Sequence, residues 1–204
     1  MDTVPFLYCE TVAETTACIN RLYELRDNAT NPSIAKWKAV FEDQMSNRIS
    51  FRLLIGFEEG EWMYALIDSH DGDINRDSDE SFYLDFAGLK RVNKKHLRIS
   101  SVWFCDNDIV RSENGCYPCS REELEEIISF SLLFLDLPVL ILYDVEIEES
   151  DLSAMLNHLQ SVPFESVDIS NRRHCYEDFL ERQLLSSDRL KSVRIDGNGW
   201  SHEI

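Results

Sequence analysis

Three copies of one spacing constrain this chain more than any other feature. Apolar residues stand at Leu137, Leu140 and Leu142, with two positions and then one position between them. The spacing returns at Phe164, Val167 and Ile169, and again at Leu190, Val193 and Ile195. Counted from positions 137, 164 and 190, the copies start 27 and 26 residues apart. Within each copy the last residues alternate with period two, as in a strand with one buried face. The stretches between the copies have helical spacing. One carries Leu152, Met155, Leu156 and Leu159, the other Tyr176, Phe179, Leu180 and Leu184. One strand and one helix in each unit of this length is the pattern of leucine-rich-type repeats. A single unit cannot bury its own apolar face, so neighbours must stack and share a core. Three units is near the minimum for a stack, so the elements before them are expected to cap it. A flat parallel sheet of βαβ units has the same spacing and stays open as an alternative.

Upstream, the pattern changes. Ser120, followed by Glu123 three residues on, is a capping box, and it predicts a helix with Leu124, Ile127, Ile128 and Leu135 on one face. Ile49, Phe51, Leu53, Ile55 and Phe57 alternate, with Ser50 and Arg52 on the other face, which predicts a strand. The Glu58-Glu59-Gly60-Glu61 stretch reads as a hairpin turn, and Trp62, Tyr64 and Leu66 continue in the returning strand. An acidic loop at 68–81 leads to a third strand on Phe82, Leu84 and Phe86 and a fourth at 97–104. The first forty-odd residues read as helices, with Leu7, Val12, Ile19, Leu22 and Leu25 on one face. A polar break at 28–33 separates them from a helix carrying Ile34, Trp37, Val40 and Phe41. The expected fold class is therefore α+β: N-terminal helices over 1–47, an antiparallel β region over 48–119, and right-handed βα repeats over 120–204.

The charge balance restricts the partners. The chain has 38 acidic and 20 basic residues, a net charge of −18. Such a chain repels phosphate backbones and anionic membrane surfaces, so neither nucleic acid nor membrane is expected as a partner. A basic protein surface would be attracted. Asp2, Glu10 and Glu14 interrupt any apolar run at the start, so no secretory leader is expected. The densest apolar run, 127–145, is broken by Asp136, Pro138 and Asp144, so no transmembrane helix is expected. The six cysteines are scattered, as in reduced compartments, which suggests a cytoplasmic or nuclear protein.

Several clusters carry residue types that could do chemistry. Cys116-Tyr117-Pro118-Cys119 stands just before a helix start, where a thiolate would be stabilised, so a small thiol-redox enzyme is one alternative. No second Cys or His pair stands at ligand spacing to complete a zinc site. Asp71, Asp73, Asn75, Asp77 and Asp79 resemble a calcium loop, but Arg76 and Phe82 occupy the positions that need glycine and glutamate. Glu146, Glu148, Glu149 and Asp151 suit a strand-to-helix turn, with Ser150 or Asp151 as the cap. Gly197-Asn198-Gly199-Trp200 reads as a turn followed by an aromatic that suits the end of the stack. G-x-S-x-G, P-loop and G-x-G-x-x-G motifs are missing from the sequence. No cofactor, metal or catalytic residue is expected, and the chain reads as a non-enzyme.

Val4-Pro5-Phe6, the helix with Val12, Leu22 and Leu25, and then Trp37 resemble a diverged F-box. The stretches Leu97-Arg-Ile-Ser-Ser-Val-Trp103, Glu148-Glu-Ser-Asp-Leu152, Tyr176-Glu-Asp-Phe-Leu-Glu-Arg-Gln-Leu184 and Gly197-Asn-Gly-Trp200 resemble the nematode group of F-box-associated, leucine-rich proteins. The resemblance implies a substrate-recognition subunit of a cullin-RING ubiquitin ligase. It places Pro5, Val12, Leu22, Leu25 and Trp37 at or near a Skp1-type adaptor and the repeat half on a protein target. A stand-alone binding or antidote-like protein, no longer engaging the adaptor, is the second reading. Repeat proteins bind on the face made by their strands and one rim. Period two points Ile141, Tyr143, Asp168, Ser170, Arg194 and Asp196 outward, and these are the expected target-binding residues.

Overall fold

The computed structural model describes residues 35–68, 83–105, 115–143, 147–170 and 173–196. Helix α1 (Ala35–Asn47) leads into strand β1 (Ile49–Glu58), which turns into β2 (Glu61–Asp68). Glu58 pairs with Glu61, so Glu59 and Gly60 form a two-residue turn. Both have positive φ, 49° and 90°, the condition for a hairpin turn whose twist matches its strands. A Cβ on Gly60 would meet nothing within 4 Å, so it is the backbone conformation that calls for glycine there.

The strand expected on Phe82, Leu84 and Phe86 stops at Leu84. Only β3 (Tyr83–Leu84) pairs with β2, and Phe86 opens helix α2 (Phe86–Arg91). The reason is local: the Asp85 carboxylate accepts from the Gly88 amide at 2.6 Å, and this cap starts the helix. Phe82 lies outside the described residues. Next come β4 (Leu97–Phe104), β5 (Cys116–Cys119) and helix α3 (Arg121–Leu132). The Ser120 hydroxyl accepts from the Glu123 amide at 3.1 Å, as the capping pattern predicts. Leu124, Ile127 and Ile128 are buried, but Leu135 is not on this helix. The helix ends at Leu132, and Leu135 begins β6 (Leu135–Leu142).

Helix α4 (Glu149–Leu159), β7 (Ser166–Ser170), α5 (His174–Ser186) and β8 (Ser192–Asp196) complete the described chain. Helix α4 starts ahead of Ser150 and Asp151, and its cap is Glu148. On α4 the four expected core residues are buried. On α5 Tyr176, Phe179 and Leu180 are buried, but Leu184 is half exposed.

The eight strands among the described residues form one mixed sheet in the order β3-β2-β1-β4-β6-β7-β8, with β5 also on β2. The pairs of β2 with β1, β3 and β5 are antiparallel, whereas β1–β4, β4–β6, β6–β7 and β7–β8 are parallel. Helices and a mixed sheet place the protein in the α+β class. The expected segments 48–119 and 120–204 share this one sheet.

The repeat positions stack in register. Leu140 stands beside Val167 and then Val193, and Leu142 beside Ile169 and then Ile195. The ladder extends one unit further than the sequence reading, because Val102 and Phe104 of β4 pair with Leu140 and Leu142. Ile99, Val102 and Phe104 have the same spacing as the three copies. They start 38 residues before Leu137 (99 against 137), which breaks the period. A bulge at Ser100 shifts the β1–β4 register, and the Ser100 hydroxyl donates to the Phe51 carbonyl at 3.2 Å.

The buried faces of α3, α4 and α5 belong to a single apolar cluster with Phe51, Leu53, Ile55, Val102, Phe104, Leu140, Leu142, Val167 and Ile169. The three helices therefore cover the same face of the sheet. At one end of the strands, Arg48 and Arg98 both approach Asp136, at 3.5 and 3.9 Å, and all three side chains are largely buried.

Candidate interaction face

The alternate side chains of the parallel strands point away from α3, α4 and α5. Backbone register joins Leu54, Trp103, Ile141, Asp168 and Arg194 into one row across five strands. Ser170 and Asp196 pair in the next row, and Tyr143 follows β6 at the same level, its amide donating to the Phe104 carbonyl at 2.8 Å. The six expected target-binding residues thus share one face. Ile141, Tyr143, Asp168 and Ser170 are half-buried, and Arg194 and Asp196 are exposed.

The row changes character along its length. At the β4–β6 end it is aromatic and apolar. The Trp103 ring meets Tyr143 edge-on, with centroids 6.0 Å apart and planes at 81°. The Arg52 guanidinium lies over the Trp103 ring at 4.2 Å from its centroid. The Trp103 indole N–H donates to the Ser101 hydroxyl at 2.9 Å, which fixes the ring's tilt. Behind Tyr143, the Tyr176 hydroxyl of α5 donates to the Tyr143 carbonyl at 2.9 Å. Leu54, Ala65 and Cys105 are buried on the same side and form a second apolar cluster with Trp103 and Tyr143. At the β7–β8 end the row is charged: Arg194 stands 4.0 Å from both Asp168 and Asp196. These pairs are long and mostly exposed, so they fix little.

Arg52 and Trp103 were absent from the sequence-derived face, although a signal for Trp103 existed. It sits between Val102 and Phe104 as Ile141 sits between Leu140 and Leu142. Arg52 has a different origin, since only the parallel pairing of β1 with β4 brings it beside Trp103.

Of the residues expected at an adaptor, Trp37 is the one that lies among the described residues. Pro5, Val12, Leu22 and Leu25 lie outside them. Trp37 is half-buried on α1, and its ring packs 5.5 Å from that of Phe41, beside Val40 and Met45.

The two cysteines of the C-x-x-C stretch face opposite ways. They stand three positions apart on strand β5, opposite Ala65 and Trp62. Cys116 packs with the Leu54–Ala65–Cys105 cluster, and Cys119 with the core under α3, α4 and α5. Burial, with the nearby Glu123 carboxylate, pushes the Cys119 thiol up to about 12. Neither cysteine is held in a disulfide. The position before the helix thus holds a protonated thiol and not an activated one.

The acidic group after β6 has structural partners. The Glu149 carboxylate accepts from the Cys175 amide at 2.9 Å, serving the first turn of α5, whose own cap residue Arg173 makes no side-chain capping bond. Asp151 meets Arg121 at 3.2 Å. Glu146 and the Asp71–Asp79 series lie outside the described residues. Among the described residues no group of three or more His, Cys, Asp or Glu is placed to hold a metal ion. Among them also no helix is long and apolar enough to cross a membrane.

Comparison with protein-family models, curated proteins and solved structures gave no match to this chain.

Proposed function

We propose that the protein is a binding module that recognises a protein target on the face of its parallel strands opposite α3, α4 and α5, as the substrate-recognition subunit of a cullin-RING ubiquitin ligase. The observation that carries the binding part is the Arg52–Trp103–Tyr143 group, continued in register by Ile141, Asp168 and Arg194. Interfaces concentrate their energy in Trp, Tyr and Arg held in place by neighbours, and here each ring is fixed before any partner arrives. The net charge of −18 favours a basic target by raising its encounter rate. No catalytic step is assigned to any residue.

The ligase part rests on the F-box resemblance of residues 1–47. A stand-alone or antidote-like binder is the second reading, favoured by the packing of Trp37 on Phe41, which gives that ring a structural role.

Two experiments test these parts separately. In a pull-down with a Skp1-type adaptor, retention by the wild type and loss in a folded Pro5→Ala, Trp37→Ala double variant supports the ligase reading. No retention by the wild type sinks it and leaves the stand-alone binder. For the face, Trp103→Ala and Tyr143→Ala should each weaken a co-purifying target by about 2 kcal/mol, roughly 30-fold. Folded variants that retain the target at wild-type affinity would remove the face from consideration.

A further inference from the structure

The last turns of α4 and α5 frame a cleft of about 530 Å³, completed by the link that leads from α4 into β7. That volume is within the range of ligand sites. Every residue that lines it is among the described residues. It lies in the helix layer, on the other side of the sheet from Trp103 and Tyr143.

Two glutamines line this cleft. Gln183 stands on the buried face of α5 and is 1% exposed. Its Nε2 donates to the carbonyl of Gln160, the C-cap of α4, at 3.1 Å. A carbonyl only accepts, so this bond fixes which atom of the Gln183 amide is which, and the atom left over, Oε1, is an acceptor. That oxygen and the Nε2 of Gln160 are both buried without a hydrogen-bond partner among the described residues. A buried polar atom without a partner costs free energy, and a ligand that supplies the partner removes the cost. The other polar groups here have partners. Arg182 donates to Asn157 Oδ1 at 3.3 Å, and the Ser186 hydroxyl to the Arg182 carbonyl at 2.6 Å. The Leu159 carbonyl accepts from the Val162 amide at 3.0 Å and the Gln183 carbonyl from the Ser187 amide at 2.9 Å. The apolar part of the lining is Val162, Pro163 and Leu185, of which Leu185 is 80% exposed.

We propose that this cleft binds the side-chain carboxamide of a glutamine or asparagine on a partner polypeptide, whose C=O accepts from Gln160 Nε2 and whose N–H donates to Gln183 Oε1. Aliphatic side chains flanking that residue would rest on Val162, Pro163 and Leu185. This site goes beyond the binding-face reading and does not depend on it. Other ligand classes fit less well. A carboxylate or phosphate has no proton for Gln183 Oε1, and it would stand at the negative ends of two helix dipoles in a chain of charge −18. An ammonium offers no acceptor to Gln160 Nε2 and would meet the charge of Arg182. A main-chain peptide group is trans, so its N–H and C=O point opposite ways. A primary carboxamide carries its C=O and one N–H along a single edge, which suits two glutamines already joined by a hydrogen bond.

The test is an NMR titration of the full chain that follows the side-chain amide signals. The probe is the peptide Ac-Leu-Gln-Leu-NHMe, compared with the same peptide carrying Glu, Lys or Met in place of Gln. The Met peptide keeps the length and the main chain and lacks the carboxamide. The Gln peptide should shift the Gln160 and Gln183 side-chain signals saturably, with a Kd of about 1 mM or below. The other three should bind about tenfold or more weakly. Gln160→Met keeps the carbonyl that Gln183 needs, and it should weaken the Gln peptide about tenfold while leaving the Met peptide unchanged. The comparison of the four peptides on the wild type stands even if that variant fails to fold. Equal binding of the Met peptide overturns the proposal, because the main chain or the leucines would then carry the contact. Tighter binding of the Glu or Lys peptide overturns it in favour of a charged ligand. No saturable shift with any peptide also overturns it and leaves a cleft that holds water only. An unchanged affinity of the Gln peptide for folded Gln160→Met overturns the assigned donor.

Discussion

Leu140 and Ile141 are neighbours in sequence and stand on opposite faces of β6, so truncating each to alanine tests the orientation on which the interaction face rests. Leu140 is fully buried, and its strand register sets it between Val102 and Val167. Leu140→Ala loses the transfer energy of the removed carbons and leaves a cavity that flanking strands cannot close, about 2–5 kcal/mol. Ile141 is half-buried on the side opposite α3, α4 and α5, in the row with Trp103 and Asp168. Burying a whole isoleucine side chain contributes about 1.5–3 kcal/mol, so half of it contributes roughly 1 kcal/mol. A site that is only partly buried leaves little enclosed cavity. Urea unfolding followed by far-UV circular dichroism reads both. With a slope of about 1–3 kcal/mol per molar urea, the Leu140→Ala midpoint should fall by roughly 1–2 M and the Ile141→Ala midpoint by about 0.5 M or less. Equal losses, or a larger loss for Ile141→Ala, would refute the assignment of faces and with it the placing of Tyr143, Asp168 and Arg194.

Glu149→Ala should destabilise the protein by about 1 kcal/mol, because it removes the acceptor of the Cys175 amide at the start of α5. Glu149→Gln keeps an oxygen there and should recover most of the loss, which thermal melts of the two variants compare. Gly60→Val should cost about 1–2 kcal/mol through its positive φ and not through any clash, so its thermal midpoint should fall while the spectrum of the folded state stays the same. High pH should also destabilise the fold. Cys119, Cys175 and Tyr64 are held above their ordinary values, chiefly by burial, at about 12, about 11 and about 12. A raised folded value means that their contribution is complete below about pH 9 and is lost as pH rises through 9–12, since the unfolded chain ionises first. Stability measured against pH should decline over that range, and Cys119→Ser should flatten the decline; a profile unchanged by the substitution would show that the thiol is not its source.

The sequence by itself determined what depends on near neighbours. The β1–β2 hairpin follows from period-two alternation around a Glu-Gly turn, and α3 from the Ser120 cap. The repeat follows from a spacing that returns every 26 or 27 residues. Parity within one strand is also local, which is why the six residues chosen for the binding face lie together. Local signals failed where a stronger local one competed, as at Asp85, whose cap turned an expected strand residue, Phe86, into the start of a helix. Pairing between distant strands decided the rest. Only the parallel contact of β1 with β4 fuses the hairpin and the repeat into one sheet and lays Arg52 over Trp103. Only the seat of β5 on β2 puts Cys116 in the cluster with Trp103 and Cys119 in the core under the helices. Such contacts join residues tens of positions apart, and their energy lies in the apolar area shared between elements, which no window of neighbouring residues contains.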